Sequence, residues 1–120
     1  MLRALQAKQE REVILMVVNR VEKIFDGESG EKEFILVNTP DNNNACVSIG
    51  LSVVGGSVEV MGKVSKDGAE MSLGMINLET AGITSLATEG GMFSVLGTET
   101  LYSVKFIAGL NTTATAKFIY

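Results

Sequence analysis

Glu59, Asp67, Glu70, Glu79, Glu89 and Glu99 are the side chains of this sequence that could act as a carboxylate pair. Such a pair, held across a cleft, performs general acid–base work on a glycosidic bond. Their contexts argue for a simpler role. Glu59 alternates with valines and falls on the outward face of a strand, and Asp67 stands in a turn, so solvated surface positions are expected. The sequence has no histidine, which rules out a Ser-His-Asp or Cys-His nucleophile and base. Cys46 is the single cysteine. It permits no intramolecular disulfide, suits a reducing cytoplasm, and beside Val47 reads as a small buried apolar residue. One cysteine without histidine supplies too few soft ligands for a zinc site. Gly55-Gly56 lacks the glycine, lysine and serine spacing of a phosphate loop and reads as a turn. Asn38-Thr39-Pro40-Asp41-Asn42-Asn43-Asn44 carries one charged oxygen donor, Asp41, where calcium wants several, so it too reads as a turn. No catalytic, cofactor or metal residue is assigned, and the chain is read as a non-enzyme.

The elements that carry these residues fall into two parts by charge. The 120 residues hold 14 acidic and 10 basic side chains, a net charge of −4, which disfavours capture of nucleic-acid phosphates. Most of those charges lie in residues 1–33. The apolar run Val13–Val18 is too short to cross a bilayer and has charges on both sides, so neither a membrane nor a nucleic acid is an expected partner.

Leu2–Phe25 is rich in helix formers, and Ile14, Val17, Val18, Val21, Ile24 and Phe25 follow i, i+3, i+4 spacing. The spacing predicts one amphipathic helix within residues 1–26, serving in docking or oligomerisation, with those six residues as its contact stripe. The β-branched residues of Val13–Val18 also suit a buried strand, which leaves a short helix followed by a strand as the alternative. Asp26-Gly27-Glu28-Ser29-Gly30 reads as a turn, and residues 27–33 as a linker.

From residue 34 the period changes to two. Val47, Ile49, Leu51 and Val53 alternate with small polar residues, and Val58, Val60 and Val64 alternate with Glu59, Met61 and Lys63. Asp67-Gly68 predicts a hairpin reversal. Tyr102, Val104 and Phe106 form one face of a strand, Ala108-Gly109-Leu110-Asn111 a turn, and Ala114, Ala116 and Phe118 the inward face of the returning strand. Short strands with turn signals every few residues predict a mainly β domain over residues 34–120: an antiparallel β-sandwich, jelly-roll or Ig-like, behind the N-terminal helix. A carbohydrate-binding module is the alternative function, with Tyr120 as its candidate exposed aromatic.

Val47–Tyr120 also resembles small β-sandwich domains of tailed-bacteriophage virion proteins. The resemblance rests on a strand running into Ser65-Lys66-Asp67-Gly68, on Gly91-Met92-Phe93-Ser94-Val95, and on the aromatic strand Leu101–Ile107, Gly109 and the Thr/Ala-rich strand Thr112–Tyr120. Many relatives carry an aromatic soon after the Asp-Gly turn, where this chain has Ala69-Glu70-Met71. The resemblance implies a virion structural protein, such as a head decoration protein, head fibre or accessory tail protein. Such proteins are often trimeric, so a trimer is favoured. The edge strands of a sandwich together with the N-terminal apolar stripe predict self-association. Residues 2–25 are expected to dock to a neighbouring virion protein or to trimer mates, with assembly in the bacterial cytoplasm. The resemblance carries over no ligand or catalytic residue.

Overall fold

The computed structural model describes residues 19–36 and 46–120. Nine strands lie in these residues: β1 (Asn19–Ile35), β2 (Ser48–Gly55), β3 (Ser57–Lys63), β4 (Met71–Ser72), β5 (Met75–Asn77), β6 (Ile83–Thr84), β7 (Leu86–Thr88), β8 (Gly91–Val95) and β9 (Ser103–Ile119). A short 3-10 turn spans Thr98–Thr100. Hydrogen bonds join all nine strands into one antiparallel sheet, curled into a half-barrel.

β9 is the spine. Along one edge it pairs with β1, from Asn19↔Ile119 to Ile35↔Ser103. Along the other edge β2 takes its C-terminal half, from Ser48↔Ile119 to Gly55↔Thr113, and β3 takes its N-terminal half, from Val58↔Ala108 to Lys63↔Ser103. β2 and β3 therefore act as one strand broken at a corner. All three tracks bend at the same level. Gly27 (φ 69°) and Gly30 (φ 142°) bend β1, Asn111 (φ 52°) bends β9, and Gly56 (φ 80°) separates β2 from β3. Side chains rarely adopt such φ values, which is why glycine and asparagine stand there.

Thr112 ties the corner. Its side chain is fully buried, and its hydroxyl accepts the Ser57 N–H at 3.1 Å and donates to the Gly109 carbonyl at 2.8 Å. The neighbouring Thr113 hydroxyl accepts the Gly27 N–H at 2.9 Å, which brings β1 into the same bend.

Folding at this corner makes two arms that face each other. The first arm holds residues 19–28 of β1, 112–119 of β9, and β2, β8, β5 and β6; the second holds the remaining halves of β1 and β9 with β3, β4 and β7. Alanines 108 and 114 sit nearest the bend on the inner face of β9, and Phe106 and Phe118 lie farther out, so the core widens as a wedge. Phe34 of the second arm lies 5.0 Å from Phe118 of the first and 5.8 Å from Phe106, ring centre to ring centre. The Arg20 guanidinium, 5.2 Å from the Phe34 ring centre, covers the open end of this cluster. Each fully buried ring contributes about 1.5–3 kcal/mol of burial.

The antiparallel, mainly β reading of residues 34–120 holds. β3 and β4 do pair, Met61↔Ser72 and Gly62↔Met71, but through a loop over residues 63–70 in which neither Asp67 nor Gly68 takes a positive φ, not through a tight Asp-Gly turn. In place of a sandwich of separate sheets, the ladder is one continuous, curled sheet. Gly55-Gly56 and Ala108–Asn111 are corners of long strands, not the turns of paired hairpins.

The N-terminal helix is a correction. Residues 19–25 are strand, and the described residues contain no α-helix. The helix-like spacing has a physical source: a bulge between Lys23 and Phe25 lets the neighbours Ile24 and Phe25 both bury. Val21, which completes the i, i+3, i+4 spacing, points to the opposite, outer face, so only the adjacent pair Ile24 and Phe25 is explained by the bulge. Residues 27–33, expected as a linker, belong to β1 and hold its bend. Ile14, Val17 and Val18 lie outside the described residues.

Candidate contact surface

Of the stripe proposed from sequence, Ile24 and Phe25 are core residues, each 1% exposed, and cannot touch a partner; Val21 is 62% exposed on the outer face of the first arm. The carboxylates singled out for acid–base chemistry are dispersed. Glu59 stands on the outside of β3, opposite Leu86 and Ile107. Glu70 pairs with Lys105 at 2.9 Å. Glu79 follows Asn77, whose side-chain oxygen accepts the Glu79 and Thr80 N–H groups at 2.8 and 3.1 Å and shapes that turn. Among the described residues no three acidic or cysteine side chains converge as metal ligands would. Cys46 is buried, donates weakly to the Ser48 carbonyl, and has its pKa pushed up by burial. Tyr120 packs against the core and is likewise shifted up by burial, so it is no exposed platform for a sugar.

The two outer faces differ in kind. On the second arm, charges answer one another. Lys105 of β9 contacts Glu70 and, at 3.6 Å, Glu31, and Lys63 of β3 lies 3.6 Å from Glu33. The Ser103 hydroxyl donates to Glu33 at 2.9 Å and, with Lys63 beside it, holds that carboxyl below its usual range. The hydrogen bond to Glu70 raises Lys105 in turn. These pairs are solvated and each worth little, and the same face also exposes Ile35 and Leu86, at 51% and 47%.

The first arm presents something else. Following the ladder across five strand boundaries, one outer row reads Val21, Lys117, Gly50, Ser94, Ile76, Ile83. The next row reads Lys23, Thr115, Ser52, Met92, and then Leu78, whose N–H donates to the Met92 carbonyl at 2.9 Å. The middle of the face is thus built from glycine, serine and threonine. Lysines stand to one side and large apolar side chains to the other. Ile83, Met92 and Leu78 are 71%, 60% and 58% exposed, too much apolar surface in one place to be a scatter of single residues. Gly50, Ser52, Leu78, Met92, Thr115 and Lys117 surround an apolar hollow of about 210 Å³. Its lining includes no carboxylate and no cysteine, and its one aromatic residue, Phe93, is buried.

The free edges matter as well. β4, β6 and β7 end the sheet in strands of two or three residues. β1 leaves a long edge open, but it is interrupted by bulges at Lys23/Phe25, Asp26/Glu28 and Glu28/Gly30 and carries charge along its length. Short, bulged and charged edges resist strand-to-strand pairing.

No protein-family model matches the chain, and no curated protein matches it by sequence. Two solved structures share its fold. The SPBc2 prophage-derived protein YomS is 10% identical, with a TM-score of 0.66 over 88% of this chain and 96% of that one. The PBSX exported protein XepA is 9% identical, with a TM-score of 0.70 over 88% of this chain and 39% of that one. At such identities the likeness is one of fold, and the chain corresponds to well under half of XepA. The curled antiparallel sheet described above is thus a fold also found in two prophage proteins.

Proposed function

We propose that this protein is a phage or prophage structural component that works by contact, associating with copies of itself and docking to other virion proteins. Capsid decoration, a head fibre and an accessory tail part are the roles of this kind, and a trimer is the assembly expected. The observation that carries the reading is the outer face of the first arm, where large exposed apolar side chains gather beside a middle built of small residues. The shared fold with two prophage-encoded proteins supports the phage origin.

The test is to purify particles from a phage or induced prophage that encodes the chain and to probe them with antibody and by mass spectrometry. A fixed copy number per particle, retained through a density gradient, is the expected result. Particles free of the protein, with the chain confined to the lysate, overturn the structural role.

A further inference from the structure

We infer that the outer face of the first arm is the surface on which a second copy of this chain packs, the lysine margin of one copy lying against the apolar and acidic margin of the next. This rests on the self-association proposed above and assigns it a location.

Gly50 carries the argument. It stands in the middle of β2, between β8 and β9, where a β-branched residue would serve the sheet better. Its backbone has no positive φ, and a Cβ built on it meets nothing within 4 Å. Nothing inside the molecule therefore asks for glycine. A glycine in a strand interior without an internal reason marks a place where another backbone or ligand comes close. Ser52, Ser94 and Thr115 around it are likewise small, and the hollow framed by Gly50, Ser52 and Thr115 is lined by apolar atoms.

Charge says which partner fits. Lys117 and Lys23 occupy the β1–β9 side of the face, and Lys117 has no ion-pair partner among the described residues. On the far side, Glu79 follows Leu78 at the rim of the apolar cluster and is likewise unpaired among the described residues. One face thus carries both halves of a complementary pair, about three strand spacings or ~14 Å apart across the sheet and further offset along the strands. Within a copy that gap keeps them separate. Between copies, Lys117 meets Glu79, while Val21 and the lysine stems cover Met92, Ile76 and Leu78. A sugar would want aromatic faces, which this surface lacks. The face is only about 24 Å wide across its strands, so a single contact is of the weak, micromolar kind; many copies on one particle would add to each other.

The experiment uses the full chain in analytical ultracentrifugation from about 1 to 200 μM. Gly50→Arg fills the hollow without touching the fold, since the space outside Gly50 is open. It should leave the circular dichroism spectrum and melting temperature unchanged and weaken self-association at least tenfold. Lys117→Glu and Glu79→Lys should each weaken it by several-fold, and the double reversal should restore it. Assembly of Gly50→Arg at wild-type strength, with the fold intact, overturns the assignment of this face. Failure of the double reversal to recover what the singles lose overturns the Lys117–Glu79 pairing. A wild-type chain that stays monomeric throughout removes self-association itself, while the particle test above still decides the virion role.

Discussion

Substituting Gly56 by alanine tests the corner on which both arms depend. A Cβ at this position would lie 2.6 Å from the Thr112 Cα and 2.9 Å from its Cβ. The first of these is backbone, so no rotamer change relieves the overlap. Gly56 also sits at φ 80°, where an L side chain costs about 1–2 kcal/mol. Overpacking adds about 1–3 kcal/mol, giving a total loss of about 2–5 kcal/mol. A domain of this size is stable by only about 5–15 kcal/mol, so the loss is plain in a urea titration followed by far-ultraviolet circular dichroism. The control is Gly50→Ala, which meets nothing within 4 Å and has ordinary backbone geometry; it should be neutral or raise stability by up to about 1 kcal/mol. Equal midpoints for the two variants, with unchanged slopes, would refute the idea that the sheet is bent by a close crossing of Gly56 and Thr112.

Thr112→Val keeps the shape but leaves the Ser57 N–H without its acceptor, and should cost about 1–3 kcal/mol by the same titration. Phe118→Ala, which empties the contact among Phe34, Phe106 and Phe118, should cost about 3–5 kcal/mol. Glu33 has a folded pKa below its ordinary value through the Ser103 hydroxyl and Lys63. Its contribution to stability is complete above the usual glutamate range and disappears as pH falls through the lowered folded value, so Glu33→Gln should flatten the acid side of the stability profile and merge with wild type at the lowest pH. Cys46, buried and with its thiol pKa raised, should react with a thiol reagent only on unfolding; rapid labelling of the native protein would contradict its position.

Alternation made the strands of residues 34–120 readable because one face of each is buried: Ile49, Leu51 and Val53, then Val58 and Val60, then Ala114, Ala116 and Phe118 all lie inside as their spacing requires. Strand partners were another matter. A glycine pair such as Gly55-Gly56 marks a change of direction equally well for a tight hairpin and for a corner, and only the long-range partner, here β9, separates the two. β1 was hidden by its bulge at Ile24–Phe25 and by charges that belong to an exposed edge strand. The outer face of the first arm left one legible mark in the sequence, Gly50 within an otherwise β-forming stretch. The row it belongs to draws one residue from each of six strands, and no local pattern announces such an assembly.

The placement of β9 has a kinetic consequence. Asn19 pairs with Ile119, and β1, β2 and β3 find their main partner only in the strand that follows them all. During synthesis the earlier segments emerge with their ladders incomplete and their apolar faces wet. The closing event is a long-range search of the kind that slows β-rich domains, and apolar faces stay exposed until the spine arrives.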